Sequence, residues 1–106
     1  MITDNDVEKA VDWLRDQATP CAQAKANRIY LEEFRKVLKA QIMAEHNDMS
    51  IAAQEREAYS DPRYIQHLEA MRTAVEMDER NRFLCAAADA KISAWQTMNA
   101  NQRMRV

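Results

Sequence analysis

Apolar residues recur with helical spacing from the start of the chain. Thr3 precedes two acidic residues, Asp4 and Asp6, and this order is typical of a capped helix N-terminus. The apolar positions that follow at i, i+4 and i+7 are Val7, Val11 and Leu14. The pattern predicts a short amphipathic N-terminal helix over residues 4–18. Trp13 lies off this stripe, and we expect it to pack against another chain or against the following helix.

The dipeptide Thr19-Pro20 is the next break in the pattern. Proline is tolerated in the first turn of a helix, and threonine is a suitable cap before it. We therefore predict that a new, long helix starts here and covers residues 21–46. A kinked continuation of the first helix through Pro20 is the alternative.

The helix over residues 21–46 has an apolar face and a basic face. Five large side chains fall within about 120° of one another: Tyr30, Leu31, Phe34, Val37 and Leu38. Gln41 lies inside this stripe and Ile42 at its edge. Five cations, here called the basic arc, lie opposite within about 100°: Lys25, Arg28, Arg35, Lys36 and Lys39. Glu32 interrupts the basic arc, with the spacing to pair with Lys36 or Arg35 if the arc is an ordinary solvated face.

Turn-forming residues divide the second half of the chain. Residues 46–50 have the composition of a turn, and Ser50 is a suitable cap for a short helix over residues 51–59. Asp61 then provides a second cap, with Pro62 at the first position of another helix.

The final helix is predicted to run over residues 62–100, followed by a frayed tail over residues 101–106. Its apolar seam begins with Tyr64, Leu68, Met71 and Val75. Residues 76–82 interrupt this seam with charged side chains. The helix therefore either changes partners there or carries a buried polar interaction that fixes its register against a neighbouring helix. The stripe then resumes with Leu84, Ala88, Ile92 and Trp95.

The composition favours one small helical domain. The 106 residues contain no glycine, the default residue for tight hairpins and positive φ angles, and this absence argues strongly against a β-rich fold. We predict an all-α fold: an elongated helical hairpin with long antiparallel helices and a short N-terminal helix. Although 47% of residues are apolar, many are alanine, which leaves few large side chains for a core. We therefore expect the chain to complete its core as a homo-oligomer.

The two cysteines and the hydropathy indicate an intracellular chain. Cys21 and Cys85 stand 64 residues apart, outside any zinc or CxxC spacing, and are interpreted as small buried hydrophobes. No basic segment followed by an apolar run starts the sequence. No stretch approaches the ~18 consecutive apolar residues of a membrane span. These features predict a cytoplasmic protein with reduced thiols and no membrane partner.

The residues for common catalytic and metal sites are missing. Without glycine there is no dinucleotide fingerprint, P-loop or nucleophile elbow. His46 and His67 are 21 residues apart, and neither follows a glutamate at the Glu-x-x-His spacing of di-iron bundles. The sequence therefore predicts no catalytic residue, metal, cofactor or small-molecule substrate, and we expect no enzyme.

Two surfaces have the composition of a nucleic-acid site. The basic arc offers cations for phosphates. The connector over residues 56–64 alternates arginine with tyrosine, which suits stacking and backbone contacts to a single strand: Arg56, Tyr59, Arg63 and Tyr64. Alternatively, both tyrosines brace the turn as core residues. The net charge of −2 makes useful affinity depend on several copies acting together.

Three segments carry a family resemblance: Ile29–Lys39, Glu55–Tyr59 and Pro62–Tyr64. They resemble small all-helical bacteriophage recombination proteins, and the order of elements is similar to recombination mediators of the UvsY type. The resemblance implies binding of single-stranded DNA, assembly into rings, and loading of a recombinase onto DNA coated by single-strand-binding protein. It implies DNA contacts for Arg28, Arg35, Lys36, Lys39, Arg56 and Arg63.

Our first functional hypothesis is accordingly an oligomeric, non-enzymatic recombination mediator. In this hypothesis the core consists of Phe34, Leu38, Leu68, Met71, Val75 and Ile92. The alternative is a helical assembly or adaptor protein that binds only proteins, through residues 76–82, Trp13 and Trp95. A small inhibitor of a host enzyme is a third hypothesis that the sequence does not separate from the second.

Overall fold

A computed structural model describes residues 1–105 of the chain. It contains three helices: α1 (Asp4–Ala44), α2 (Ile51–Ser60) and α3 (Pro62–Arg105). No strand occurs among these residues, and none of them has a positive φ angle. The all-α prediction is confirmed, and its physical basis is visible in the turns, which use only conformations open to residues with a Cβ atom.

Helix α1 corrects the predicted N-terminal organisation. It is one helix of 41 residues with Pro20 inside it, so the separate helix over residues 4–18 and the new start at residue 21 are wrong. Continuation through Pro20, the alternative, is what forms. Proline in a helix interior costs about 3 kcal/mol because it lacks the N–H for one backbone bond. Packing of α1 segments against α3 outweighs this cost.

Three of the four predicted helix caps are present, and the fourth, Thr19, lies inside α1 instead. The backbone N–H of Thr3 donates to the Asp6 carboxylate at 2.9 Å, and the Asp6 N–H donates to the Thr3 hydroxyl at 3.1 Å. This reciprocal pair lowers the pKa of Asp6 through the backbone hydrogen bond from Thr3. Ser50 accepts from the Ala53 N–H at 3.3 Å, and Asp61 accepts from the Arg63 N–H at 2.8 Å. Ser50 and Asp61 precede helices that start at the predicted positions, residues 51 and 62.

Helix α3 is longer than predicted at its C-terminal end. It has 44 residues and continues through Arg105, so the frayed tail is wrong for residues 101–105, while Val106 lies outside the described residues. No glycine or proline follows residue 100 to end the helix. Arg103 and Arg105 lie in the last turn, where a positive charge interacts favourably with the negative end of the helix dipole.

The described chain divides into two compact units, and α1 and α3 contribute a segment to each. The terminal unit consists of residues 1–22 and the described residues from 79 onward. Within it α1 and α3 are antiparallel: Trp95, late in α3, donates to Asp4, the first residue of α1, at 2.7 Å. Its buried apolar residues are Ala10 and Ala88. Alanines at these positions let the two backbones approach closely.

The central unit consists of residues Gln23–Asp78. Its core is the cluster of Ile42, Ala58 and Tyr64, one residue from each helix, with Leu38 and Met43 packed against it. The segments of α1 and α3 are antiparallel here too, because Glu45 binds Arg63 while Leu31, earlier in α1, binds His67, later in α3. The predicted hairpin arrangement of the long helices is therefore confirmed within each unit.

The predicted apolar stripes agree with the buried residues only in part: Tyr64 and Ala88 of the α3 stripe are buried, whereas the core of α1 is shifted to the edge of its stripe. Ile42, predicted at the edge of the apolar stripe, is fully buried, whereas Tyr30 and Val37 are 63% and 47% exposed. Of the six residues assigned to the core, Leu38 packs against the central cluster, but none is among the buried residues, and Leu68 is exposed. A helix pair buries only a narrow strip of each member, so much of a 120° stripe stays outside the contact. None of the three helices contains an apolar stretch long enough to cross a bilayer.

Candidate binding cleft in the central unit

Five residues predicted from the sequence line a single cleft, here called the basic cleft. Its volume is about 330 Å³. Helix α1 contributes three cations, α2 one tyrosine and α3 another, and the lining residues are Arg35, Lys36, Lys39, Tyr59 and Tyr64. The fold thus brings the second half of the basic arc together with both tyrosines of the connector.

Lys39 is held in the basic cleft by Tyr59 and Glu55. Its ammonium donates to the Tyr59 hydroxyl at 2.8 Å and lies 4.7 Å from the centre of the same ring. Glu55 lies 3.7 Å away. The hydrogen bond to Tyr59 raises the pKa of Lys39 above its ordinary value, so this cation stays charged.

The two tyrosines have different roles. Their rings meet edge to face, with centroids 5.4 Å apart and planes at 81°. Tyr64 is 7% exposed and belongs to the core cluster, as the bracing alternative predicts. Tyr59 is 51% exposed, so its ring remains available to a ligand. Only one of the tyrosines therefore offers a stacking surface.

The cations of the basic cleft are only partly neutralised. Lys36 pairs with Glu33 at 3.2 Å, and both side chains are exposed. Arg35 is exposed and makes no ion pair within residues 1–105. The spacing of Glu32 allowed it to pair with Lys36 or Arg35. It pairs with neither, and instead accepts a hydrogen bond from Arg28 at 3.0 Å.

Arg28 of the basic arc takes part in the internal structure. Its guanidinium donates to the Asp78 carboxylate at 3.1 Å, and its side chain is only 28% exposed. Asp78 is itself buried and belongs to residues 76–82, the polar interruption of the α3 seam. The buried pair of Asp78 with Arg28 agrees with one of the two explanations predicted for that interruption, a buried polar interaction that fixes the register.

Arg63 is likewise bound by carboxylates. Its guanidinium donates to both oxygens of Glu45, to one of them at 3.0 Å, and its Nη2 donates to Asp61 at 3.0 Å. The hydrogen bonds to Glu45 raise the pKa of Arg63, and Arg63 in turn lowers the pKa of both acids. This clamp joins the start of α3 to the chain just after α1. Lys25 and Arg56, the remaining predicted residues, are exposed and do not line the basic cleft.

A second cleft, in the terminal unit, was not predicted as a site. It encloses about 300 Å³. Trp13 lines it together with a leucine, three alanines and three charged residues from both helices, namely Asp6, Lys9, Ala10, Leu84, Ala87, Ala88 and Lys91. The one sequence signal for this cleft is the position of Trp13 away from the apolar stripe. Within residues 1–105, no three metal-ligating side chains form a group.

Comparison with family models, with curated proteins and with solved structures found no match to this chain.

Proposed function

We propose that this protein is a non-enzymatic, self-associating helical protein that binds single-stranded DNA in the basic cleft and assists recombinase loading. The observation that carries the proposal is the convergence of three cations and an exposed tyrosine on one opening. The three cations lie on α1 and the tyrosine on α2, so the tyrosine meets the cations only through the fold. The resemblance to phage mediators is the basis for proposing a recombinase and a single-strand-binding protein as its partners.

Phosphates compete well for the cations of the basic cleft. The pair of Lys36 with Glu33 is exposed, and such pairs contribute only about 0–1 kcal/mol. Lys39 is 27% exposed and is held by Tyr59 as well as by Glu55. Arg35 needs no rearrangement to meet a phosphate. Three phosphate contacts on a single strand give a salt slope of about −2 per chain.

The exposed ring of Tyr59 complements these contacts. Stacking of a base on an aromatic side chain stabilises a complex by about 1–3 kcal/mol and does not depend on sequence. The edge contact with the buried Tyr64 holds the Tyr59 ring in place before DNA arrives. A base on Tyr59 and phosphates on Arg35 and Lys36 form one continuous contact.

Self-association supplies the affinity that one chain lacks. Three cations and a net charge of −2 give weak binding to a single chain, and linked copies multiply it. Large apolar side chains exposed within residues 1–105 support such an assembly, among them Tyr30, Val37, Ile65, Met77 and Phe83. Exposed apolar surface of this kind is typical of interaction sites.

A salt titration with matched variants tests the proposal. Anisotropy of labelled oligo-dT is measured at increasing salt for the parent chain and for Arg35→Glu/Lys36→Glu/Lys39→Glu. We expect the triple variant to bind at least ten-fold more weakly. The control carries the same charge change at three exposed arginines away from the basic cleft, Arg15→Glu, Arg72→Glu and Arg82→Glu, and should lose less than three-fold.

Light scattering on each variant separates loss of DNA contacts from loss of assembly. Equal losses in the two triple variants contradict a specific role for the basic cleft. Absence of binding at low salt with the assembly intact contradicts the DNA proposal altogether. Collapse of the assembly in the cleft variant alone identifies the basic arc as a protein interface.

The second candidate is an assembly or adaptor protein that binds only proteins. Phe83 in the terminal unit is 74% exposed, and Ile65 in the central unit is 51% exposed. Neither residue lines the basic cleft, so DNA binding leaves them unexplained. Two results together favour this candidate: the intact oligomer does not bind DNA, and the substitution Phe83→Ser abolishes assembly.

A further inference from the structure

The cleft of the terminal unit is a site that the proposed function leaves unused. It encloses about 300 Å³, at the lower end of the roughly 300–1,000 Å³ of small-ligand sites. Three of its lining residues are alanines, and two of these, Ala10 and Ala88, are buried. Short side chains at these positions leave open space beside Trp13 of α1 and Leu84 of α3. The cleft therefore admits one flat group rather than a folded partner.

Trp13 has no polar or aromatic partner in the described part of the chain. Its side chain is partly buried, and it makes no hydrogen bond and no contact with another aromatic ring among residues 1–105. Trp95, the other tryptophan, differs because its N–H donates to Asp4 at 2.7 Å. The indole of Trp13 thus offers a ligand both a stacking surface and a hydrogen-bond donor.

Two lysines place positive charge at the same opening. Lys9 of α1 and Lys91 of α3 line the cleft, both are exposed, and neither makes an ion pair within residues 1–105. Asp6, the acid of the lining, already accepts from the Thr3 N–H at 2.9 Å as part of the helix cap. Two unpaired ammonium groups and one capped carboxylate leave the cleft with a net positive charge, which favours an anionic ligand.

We propose that the cleft of the terminal unit is a second contact site for single-stranded DNA, in addition to the basic cleft. One base stacks on the indole of Trp13, and neighbouring phosphates meet Lys9 and Lys91. The proposal rests on the proposed binding of single-stranded DNA by this protein.

The lining of the cleft favours a nucleotide over a peptide helix. A docked helix needs a groove that takes side chains over several turns. This cleft has one aromatic ring and one large aliphatic side chain. A nucleotide in a single strand needs a ring for its base and cations near its phosphates, and these are the groups present.

The fluorescence of Trp13 tests the site directly, because no tryptophan lines the basic cleft. In the variant Trp95→Phe, Trp13 is the only tryptophan of the chain. Short oligo-dT should quench its emission saturably at low salt, and added salt should reverse the quenching. In this background Lys9→Gln/Lys91→Gln should weaken the affinity measured by quenching on the order of ten-fold. Circular dichroism of each variant checks that the helices remain.

The matched control removes two charges from the same unit, one from each long helix. The exposed residues changed in Arg15→Gln/Arg82→Gln do not line the cleft, so this variant should lose less than about two-fold in affinity. Equal losses in the two double variants overturn the proposal. Equal quenching by polyglutamate also overturns it, because it identifies a site for acidic peptides.

A further variant separates this site from the basic cleft. Quenching should persist when Arg35→Glu/Lys36→Glu/Lys39→Glu is introduced, and its disappearance overturns the second site. Oligo-dT that binds by anisotropy but leaves Trp13 emission unchanged also overturns the second site, while the basic cleft stands. Quenching that only the lysine variant weakens supports the terminal cleft and contradicts the proposed role of the basic cleft. Absence of binding in both assays overturns both proposals.

Discussion

The guanidinium of Arg28 on α1 binds the carboxylate of Asp78 on α3, with 3.1 Å between Nη1 and Oδ2. Asp78 is 6% exposed and is the only charged residue that is buried within residues 1–105. Burial of a carboxylate is favourable only with hydrogen-bonding partners, and Arg28 provides one across the helix pair. The pair therefore favours one register of α1 against α3 in the central unit.

Removal of the Asp78 carboxylate should destabilise the fold. We expect Asp78→Ala to lower the free energy of unfolding by about 1–3 kcal/mol, less than the 3–5 kcal/mol of a fully buried pair, because Arg28 is partly exposed. Urea denaturation followed by circular dichroism measures the change. Asp89→Ala, an exposed acid on the same helix, is the control and should change stability by less than about 0.5 kcal/mol. Equal effects of the two substitutions contradict a structural role for the pair.

The buried face of α1 leads to a second prediction. Ile42→Ala should cost about 2–5 kcal/mol, because Ile42 is fully buried between Ala58 and Tyr64 and its truncation leaves a cavity. Val37→Ala, on the face that the sequence pattern favoured, should cost less than about 0.5 kcal/mol in dilute solution. Thermal and urea unfolding of both variants at low concentration test the difference. If Val37→Ala is the more damaging, the sequence pattern and not the observed packing describes the core.

The clamp around Arg63 predicts a dependence of stability on pH. Hydrogen bonds from Arg63 lower the pKa of Glu45 and of Asp61 below their ordinary values of 4.5 and 3.8. A lowered pKa in the folded state gives stability that is fully present above the unfolded value and is lost as pH falls through the folded value. The stabilisation should therefore be constant near neutral pH and decline below about pH 4.5.

The variant Arg63→Met isolates this contribution. It should be less stable than the parent at pH 7, and the difference between the two chains should shrink between about pH 5 and pH 2. Urea midpoints across this range measure it. Arg72→Met, an exposed arginine with a neighbouring glutamate 3.7 Å away, is the control and should show a smaller difference at every pH. A difference that stays constant down to pH 2 contradicts the clamp.

The local signals in the sequence predicted the helices well. Thr3, Ser50 and Asp61 act as caps because a short polar side chain and the first free N–H groups of a helix are neighbours in the chain. Pro20 was misleading for the opposite reason. Its local cost is real, but contacts with α3 decide whether the helix continues, and those residues are distant in sequence. For the end of α3, the absence of glycine after residue 100 was a better predictor than the weak apolar periodicity of that segment.

The residues of the candidate site were predictable as types but not as a group. The basic arc is a property of one helix, and the periodicity of α1 identifies its members. Which members meet Tyr59, and which are bound by carboxylates instead, depends on how the three helices pack. The sequence pattern predicts Arg28 and Arg63 as surface cations, yet both bind carboxylates from other parts of the chain.

The sequence by itself determined that the chain is helical, since a chain without glycine, rich in helix formers and punctuated by caps, has few other local conformations. The tertiary structure alone decided the contacts at long separation: Ile42 in the core, Arg28 on Asp78 and Lys39 on Tyr59. The physical reason is that a helical period fixes direction around one axis only. The rotation and offset of a second helix against it are set by the total packing energy, which no single segment contains.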